Sequence, residues 1–182
     1  MIKINEAKKI VLSEMNQPVV DEAKFDELLI KLGRAANIFV VGHGRSGLVA
    51  KMFANRLLQL GLSVHAIDEI TCPPVKKTDL LLILSGSGSS LALVDAAEIA
   101  LNEKAEVALI TAEDVSRLTA VIKTVVVLRA DTKHSIHKVS KQPMGAMFEQ
   151  SSFLLLEACV LCLQERLARD EVFMEKHHAN IE

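Results

Sequence analysis

Two short glycine- and serine-rich stretches hold the residues whose types and spacing suit chemistry. Gly-His-Gly-Arg-Ser-Gly occupies positions 42–47, and Ser-Gly-Ser-Gly-Ser-Ser occupies positions 85–90. Each follows an apolar run and precedes a stretch with helical spacing. At such a turn, free backbone N–H groups and the positive end of a helix dipole form an anion site. Glycines let the main chain approach the ligand closely. Gly44, Arg45 and Ser46 in the first stretch, and Ser85, Gly86, Ser87, Gly88 and Ser90 in the second, are therefore phosphate-binding candidates. Ser89 adds a further hydroxyl and Arg45 a fixed positive charge. Neither stretch matches Gly-x4-Gly-Lys-Ser/Thr, which argues against a P-loop nucleotide hydrolase. A rival reading is open. Gly42, Gly44 and Gly47 fit Gly-x-Gly-x-x-Gly, and Asp68 lies where a dinucleotide fold places its ribose carboxylate. Against it stand the many hydroxyls of the second stretch and the lack of a separate catalytic domain.

The elements that must position these loops are legible from spacing. Apolar residues at Ile4, Ala7, Val11 and Met15 predict an amphipathic helix within residues 2–16, broken at Gln17-Pro18. Asp21 suits the N-cap of a second helix ending near Gly33, with Leu28, Leu29 and Leu32 on one face. Strands are expected at 37–41, 63–67, 79–84, 107–111 and 124–128. Helices are expected at about 46–60, 91–102 and 116–120, with Gly61 in the C′ position of the first of these. Residues 79–84 form an unbroken apolar run, the pattern of a strand buried on both faces of a parallel sheet. Residues 130–142 read as polar loop. Pro143 suits the first turn of a last long helix running to about Ala168, followed by a polar tail.

Strand alternating with helix predicts an α/β three-layer sandwich on a five-stranded parallel sheet. Right-handed crossovers leave 2-1-3-4-5 as the common open order. The chain then changes direction between strands 1 and 3, the strands that carry the two loops. Ligands bind at such a switch point.

The 182 residues suit one domain, with a helical segment at 1–34, an α/β core at 35–170 and a tail at 171–182. Half of them are hydrophobic and the formal net charge is -2. Without a basic excess, and with no Trp or Tyr, the chain offers no nucleic-acid platform. The longest apolar run, 153–163, is interrupted by Glu157 and too short to span a bilayer. Three cysteines and no signal-like apolar segment at the N-terminus point to a reduced, cytoplasmic protein. Cys159-x-x-Cys162 has no second ligand pair nearby and reads as core packing, not a metal site. His65 reads as structural, Lys51 as exposed, and Lys133, His134 and His137 as a solvated loop. Glu69 and Thr71 end the second strand near the crevice, and His43 faces either ligand or solvent.

Longer motifs add a resemblance. Gly-Arg-Ser-Gly-Leu-Val-Ala-Lys at 44–51, Ser-Gly-Ser-Gly at 85–88, Gln-Pro-Met-Gly-Ala-Met-Phe-Glu-Gln at 142–150 and His-Ala-Asn-Ile-Glu at 178–182 resemble 6-phospho-3-hexuloisomerase. That is a sugar isomerase (SIS) domain family with a flavodoxin-like sandwich. The family carries Ser-Gly-Ser-Gly-Glu-Thr where this chain has Ser89 and Ser90 last. Ser90 keeps the hydroxyl and Ser89 loses a carboxylate. Lys141, His134, His137 and His177 are further departures.

The resemblance implies an isomerase interconverting D-arabino-3-hexulose 6-phosphate and fructose 6-phosphate through a 2,3-enediol, in the ribulose monophosphate route of formaldehyde fixation. It implies no cofactor, a homotetramer, and a functional link to 3-hexulose-6-phosphate synthase. Glu149 becomes the base. Read bare, it is a glutamate complementing a helix N-terminus. His178 becomes the residue that opens the sugar ring or moves the oxygen proton, from a tail that crosses into a neighbouring subunit's site. Read bare, it is a terminal histidine. Two alternatives stay open: another SIS isomerase working through a 1,2-enediol, and a non-catalytic sugar-phosphate regulator.

Overall fold

The computed structural model describes residues 2–16 and 20–181. The expected break at Gln17-Pro18 and the last residue, Glu182, lie outside them. The elements run α1 (Ile4–Met15), α2 (Glu22–Arg34), β1 (Ile38–Gly42), α3 (Arg45–Gln59), β2 (Val64–Ala66), β3 (Leu80–Leu84), α4 (Leu91–Asn102), β4 (Glu106–Thr111), α5 (Arg117–Val121), β5 (Thr124–Val127), α6 (Ala146–Leu167) and α7 (Glu171–Lys176). The five strands form one parallel sheet in the order β2-β1-β3-β4-β5, with Val41 beside Ile83 and Gly42 beside Leu84.

Period-2 alternation divides the strand side chains between two apolar layers. Ile38, Val40, Leu80, Leu82 and Leu84 face a core shared with α2, α3 and α6. Phe39, Val41, Leu81 and Ile83 face the other, closed by α4 and α5. All five side chains of β3 are buried, as its unbroken apolar run requires. Each is worth about 1.5–3 kcal/mol of transfer free energy, so a single charge there would break the centre of the sheet.

Several local expectations meet their physical causes. Asp21 caps α2, its Oδ1 accepting from the Ala23 and Lys24 amides. Gly61 closes α3 in a left-handed conformation (φ 67°), with the Leu62 amide returning to the Leu57 carbonyl at 3.0 Å. Cys159 is fully buried in the core, and burial pushes its thiol pKa up. By length and composition α6 could cross a bilayer, but Met147, Phe148, Leu156, Val160 and Leu163 are buried against protein.

Three expectations are corrected. Pro143 does not open the long helix. It opens a separate 3-10 turn (Pro143–Gly145), where Met144 (φ 57°) and Gly145 (φ 79°) reverse the backbone before α6 begins at Ala146. The polar tail holds one short helix, α7, capped by Asp170. It is pinned by Phe173, which stacks on His177 at 4.2 Å and lies under the Arg169 guanidinium at 4.9 Å. The apolar stripe of α1 is only half used. Ile4 is exposed, and the one buried residue of that helix is Glu14.

Candidate active site

The two glycine-serine loops lie side by side beyond the carboxyl ends of β1 and β3. Close packing of α3 on β1 needs glycine at both contact points. A Cβ on Gly47 would fall 2.5 Å from the Gly42 carbonyl oxygen, and one on Gly42 would fall 2.9 Å from the Gly47 nitrogen. The N-termini of α3 and α4, at Gly44 and Ser90, reach the crevice with no side-chain cap, and so does the N-terminus of α6 at Gly145. The shorter helix α5 and the peripheral α2 and α7 are capped by Ser116, Asp21 and Asp170. Orphan N–H donors are therefore left open at the crevice, where an anion would satisfy them.

These termini surround a cleft of about 590 Å³. Gly44, Arg45, Ser46, Ser85, Gly86, Ser87, Ser90 and Glu149 all line it, so the structure brings together eight of the residues singled out from sequence. Gly88 is turned away and backs onto Ser116. Ser46 and Ser85 are buried at the base of the loops. Glu149 lies in the first turn of α6, and its Oε2 receives the Arg45 Nε at 2.6 Å. The carboxylate side chain is 16% exposed and the guanidinium side 62%, so the acid is sheltered and the arginine is wet. Arg45 engages one carboxylate oxygen, Oε2.

The far wall comes from the segment between β5 and α6. Thr132, Lys133, His134, Met144 and Gly145 line the cleft. Glu14 of α1 holds this segment, accepting from Ser140 Oγ at 2.6 Å, the Lys141 amide at 2.7 Å and Gln142 Nε2 at 2.9 Å. Burial would raise the Glu14 pKa, but these hydrogen bonds outweigh it and hold the carboxyl below its ordinary value. Asp131 ties the segment to itself, accepting from the Val139 and Ser140 amides at 2.6 Å each. Gly145 abuts the same wall, since a Cβ there would meet the Lys133 nitrogen at 2.5 Å.

Residues 31–148 match the SIS domain model. The chain is 33% identical to the 3-hexulose-6-phosphate isomerase of Bacillus subtilis over 185 residues, covering all of both chains. It is 36% identical to that of Mycobacterium gastri, over 90% of this chain and 82% of the relative. This chain belongs to the SIS domain family. A solved structure of a hypothetical protein from Methanococcus jannaschii, for which a molecular function of 3-hexulose-6-phosphate isomerase was inferred, superposes with a TM-score of 0.84. It is 29% identical and covers 97% of this chain and 99% of that one.

Within the SIS fold, several candidates fall elsewhere. His178 does not line the cleft. It faces a groove with Arg56, Gln59 and Glu157, beside α3 and α6. Asp68 pairs with Lys51 at 2.5 Å, a contact that chiefly lowers its pKa, and it lies away from the cleft. The dinucleotide alternative thereby loses its acidic residue. Glu69 is exposed and does not reach the cleft either. His65 packs against the Phe39 ring at 5.5 Å, a structural contact. Lys133 and His134 are the residues the sequence reading missed. Only their place in a long loop was visible, and that loop's course is set by Glu14, far away in sequence.

Proposed function

We propose that this isomerase interconverts D-arabino-3-hexulose 6-phosphate and D-fructose 6-phosphate through a 2,3-enediol. The observation that carries the proposal is the sheltered Glu149 carboxylate, 2.6 Å from Arg45, in a cleft with three open helix N-termini. The names of the relatives support the substrate.

In this reading the phosphate sits on the N–H groups of α3 and α4, with hydroxyls from the serine loops. Glu149 removes the proton from C2 of the 3-ketose, and the electron pair forms the C2–C3 double bond as the carbonyl oxygen at C3 takes a proton. The proton returns at C3 while the C2 hydroxyl gives up its own, which leaves the ketone at C2. Oxidation and reduction cancel within one molecule, so no redox cofactor is consumed. Phosphate binding energy holds the reacting carbons against the base. Arg45 keeps the carboxylate in place, and the nearby Lys133 ammonium favours negative charge on the enediolate oxygens.

We read residues 1–182 as one SIS domain acting in the cytoplasm, in the ribulose monophosphate route, downstream of a hexulose-phosphate synthase. The place of His178 fits a tail that serves a neighbouring subunit of a homotetramer, since within its own chain it faces a different groove.

The test is fructose 6-phosphate in D2O followed by NMR. Exchange at C3 is expected. Exchange at C1 would mean a 1,2-enediol and an aldose–ketose isomerase. Binding without exchange would mean a sugar-phosphate sensor.

A further inference from the structure

His43 joins the two loops across the cleft. Its ring Nδ1 lies 3.2 Å from Ser90 Oγ. Ser90 is the N-cap residue of α4, a position where a serine hydroxyl ordinarily accepts a backbone N–H of the first turn. Here it makes no such cap. The hydroxyl is held by the imidazole instead, and the first N–H groups of α4 stay open.

The direction of that hydrogen bond follows from the ligand's chemistry. A phosphate monoester dianion offers acceptors only, so every group that grips it must donate. Ser90 has a single proton. If that proton went to His43 Nδ1, the serine would present lone pairs to the phosphate and repel it. The hydroxyl serves the phosphate only when the imidazole donates Nδ1–H to Ser90 Oγ. The other basic groups on the cleft do not take over this task. Arg45 is engaged with Glu149, and Lys133 and His134 stand on the opposite wall without a hydrogen bond to Ser90 among the described residues.

We propose that His43 is a positioning residue for the substrate phosphate: its Nδ1–H fixes the Ser90 oxygen, turns the hydroxyl proton toward the phosphate, and keeps the α4 N-terminus uncapped. The inference rests on the sugar-phosphate reading of the cleft.

The test compares the parent with His43→Ala and His43→Asn. Asparagine places an amide N–H where Nδ1 stands. Binding of fructose 6-phosphate and of inorganic phosphate is measured by calorimetry, and turnover of fructose 6-phosphate by steady-state kinetics. His43→Ala should weaken binding of both by roughly tenfold or more, the worth of one hydrogen bond to a charged group. KM should rise while kcat stays within about threefold. His43→Asn should recover binding to within about threefold of the parent. Unchanged binding in His43→Ala overturns the proposal, as does a loss confined to kcat, which would make His43 an acid or base. Asparagine behaving like alanine also overturns it. A parent that binds fructose 6-phosphate without isomerising it refutes the isomerase reading alone, because the binding comparison still decides the role of His43. A parent that binds neither ligand refutes both.

Discussion

Glu149→Gln separates chemistry from architecture. The substitution keeps the size of the side chain and an oxygen to accept from Arg45, and removes the basic carboxylate. The Arg45 side of the pair is 62% exposed, so the ion pair contributes about 0–1 kcal/mol to stability. For a chain of this size that is a fall in Tm of about 4 °C at most. A general base is worth about 10²- to 10⁴-fold in rate, or roughly 2.7–5.5 kcal/mol of barrier. The catalytic effect therefore outweighs the structural one. We expect kcat for fructose 6-phosphate isomerisation to fall at least about 100-fold. Binding of fructose 6-phosphate should stay within about threefold, because the proposed phosphate anchor is made of main-chain amides on other elements. The assay pairs C3 exchange in D2O with calorimetric binding and a thermal melt. Activity within a few-fold of the parent would refute the assignment. So would a melt depressed by more than about 10 °C, because the loss of activity would then reflect unfolding.

Three further outcomes follow from the same structure. Replacing Glu14 by Ala leaves three donors of the cleft wall without their acceptor and should cost about 2–4 kcal/mol, read as a lower denaturant midpoint. Because the folded-state pKa of Glu14 is lowered, its stabilisation is complete above the ordinary glutamate range, near pH 4–5, and is lost as pH falls further through the folded value. The gap in Tm between the parent and Glu14→Gln should therefore shrink on acidification below that range, and a constant gap would refute the carboxylate's role. Deleting residues 176–182 should abolish turnover while leaving the melt within a few degrees, since no residue of α7 is buried. A fully active truncated protein would remove His178 from the mechanism.

The readable part of this molecule was the part governed by local rules. The unbroken run at 79–84 had to be a central parallel strand, and two glycine-serine turns after strands 1 and 3 had to meet at the switch point. What escaped was set by contacts distant in sequence. Met144 takes a positive φ that no local preference would assign to methionine, because Gly145 must pass against the backbone at Lys133. Lys133 and His134 reach the cleft because Glu14, more than a hundred residues earlier, anchors the same loop at Ser140, Lys141 and Gln142. The helix α7 escaped because none of its residues is fully buried and it is held by only two side chains, Phe173 and Met174, the latter against the main core. Glu149 was visible as a residue at a helix start, but its partner Arg45 lies 104 positions away.

The open helix N-termini also bear on how such a site changes over generations. A backbone amide has no codon of its own, so no point mutation other than one to proline deletes it while the fold persists. The proposed phosphate anchor is thereby insulated from drift, whereas the wall at 132–145 is written in side chains and is free to vary. Divergence on this scaffold is then expected to alter which sugar is accepted before it alters the need for a phosphorylated one.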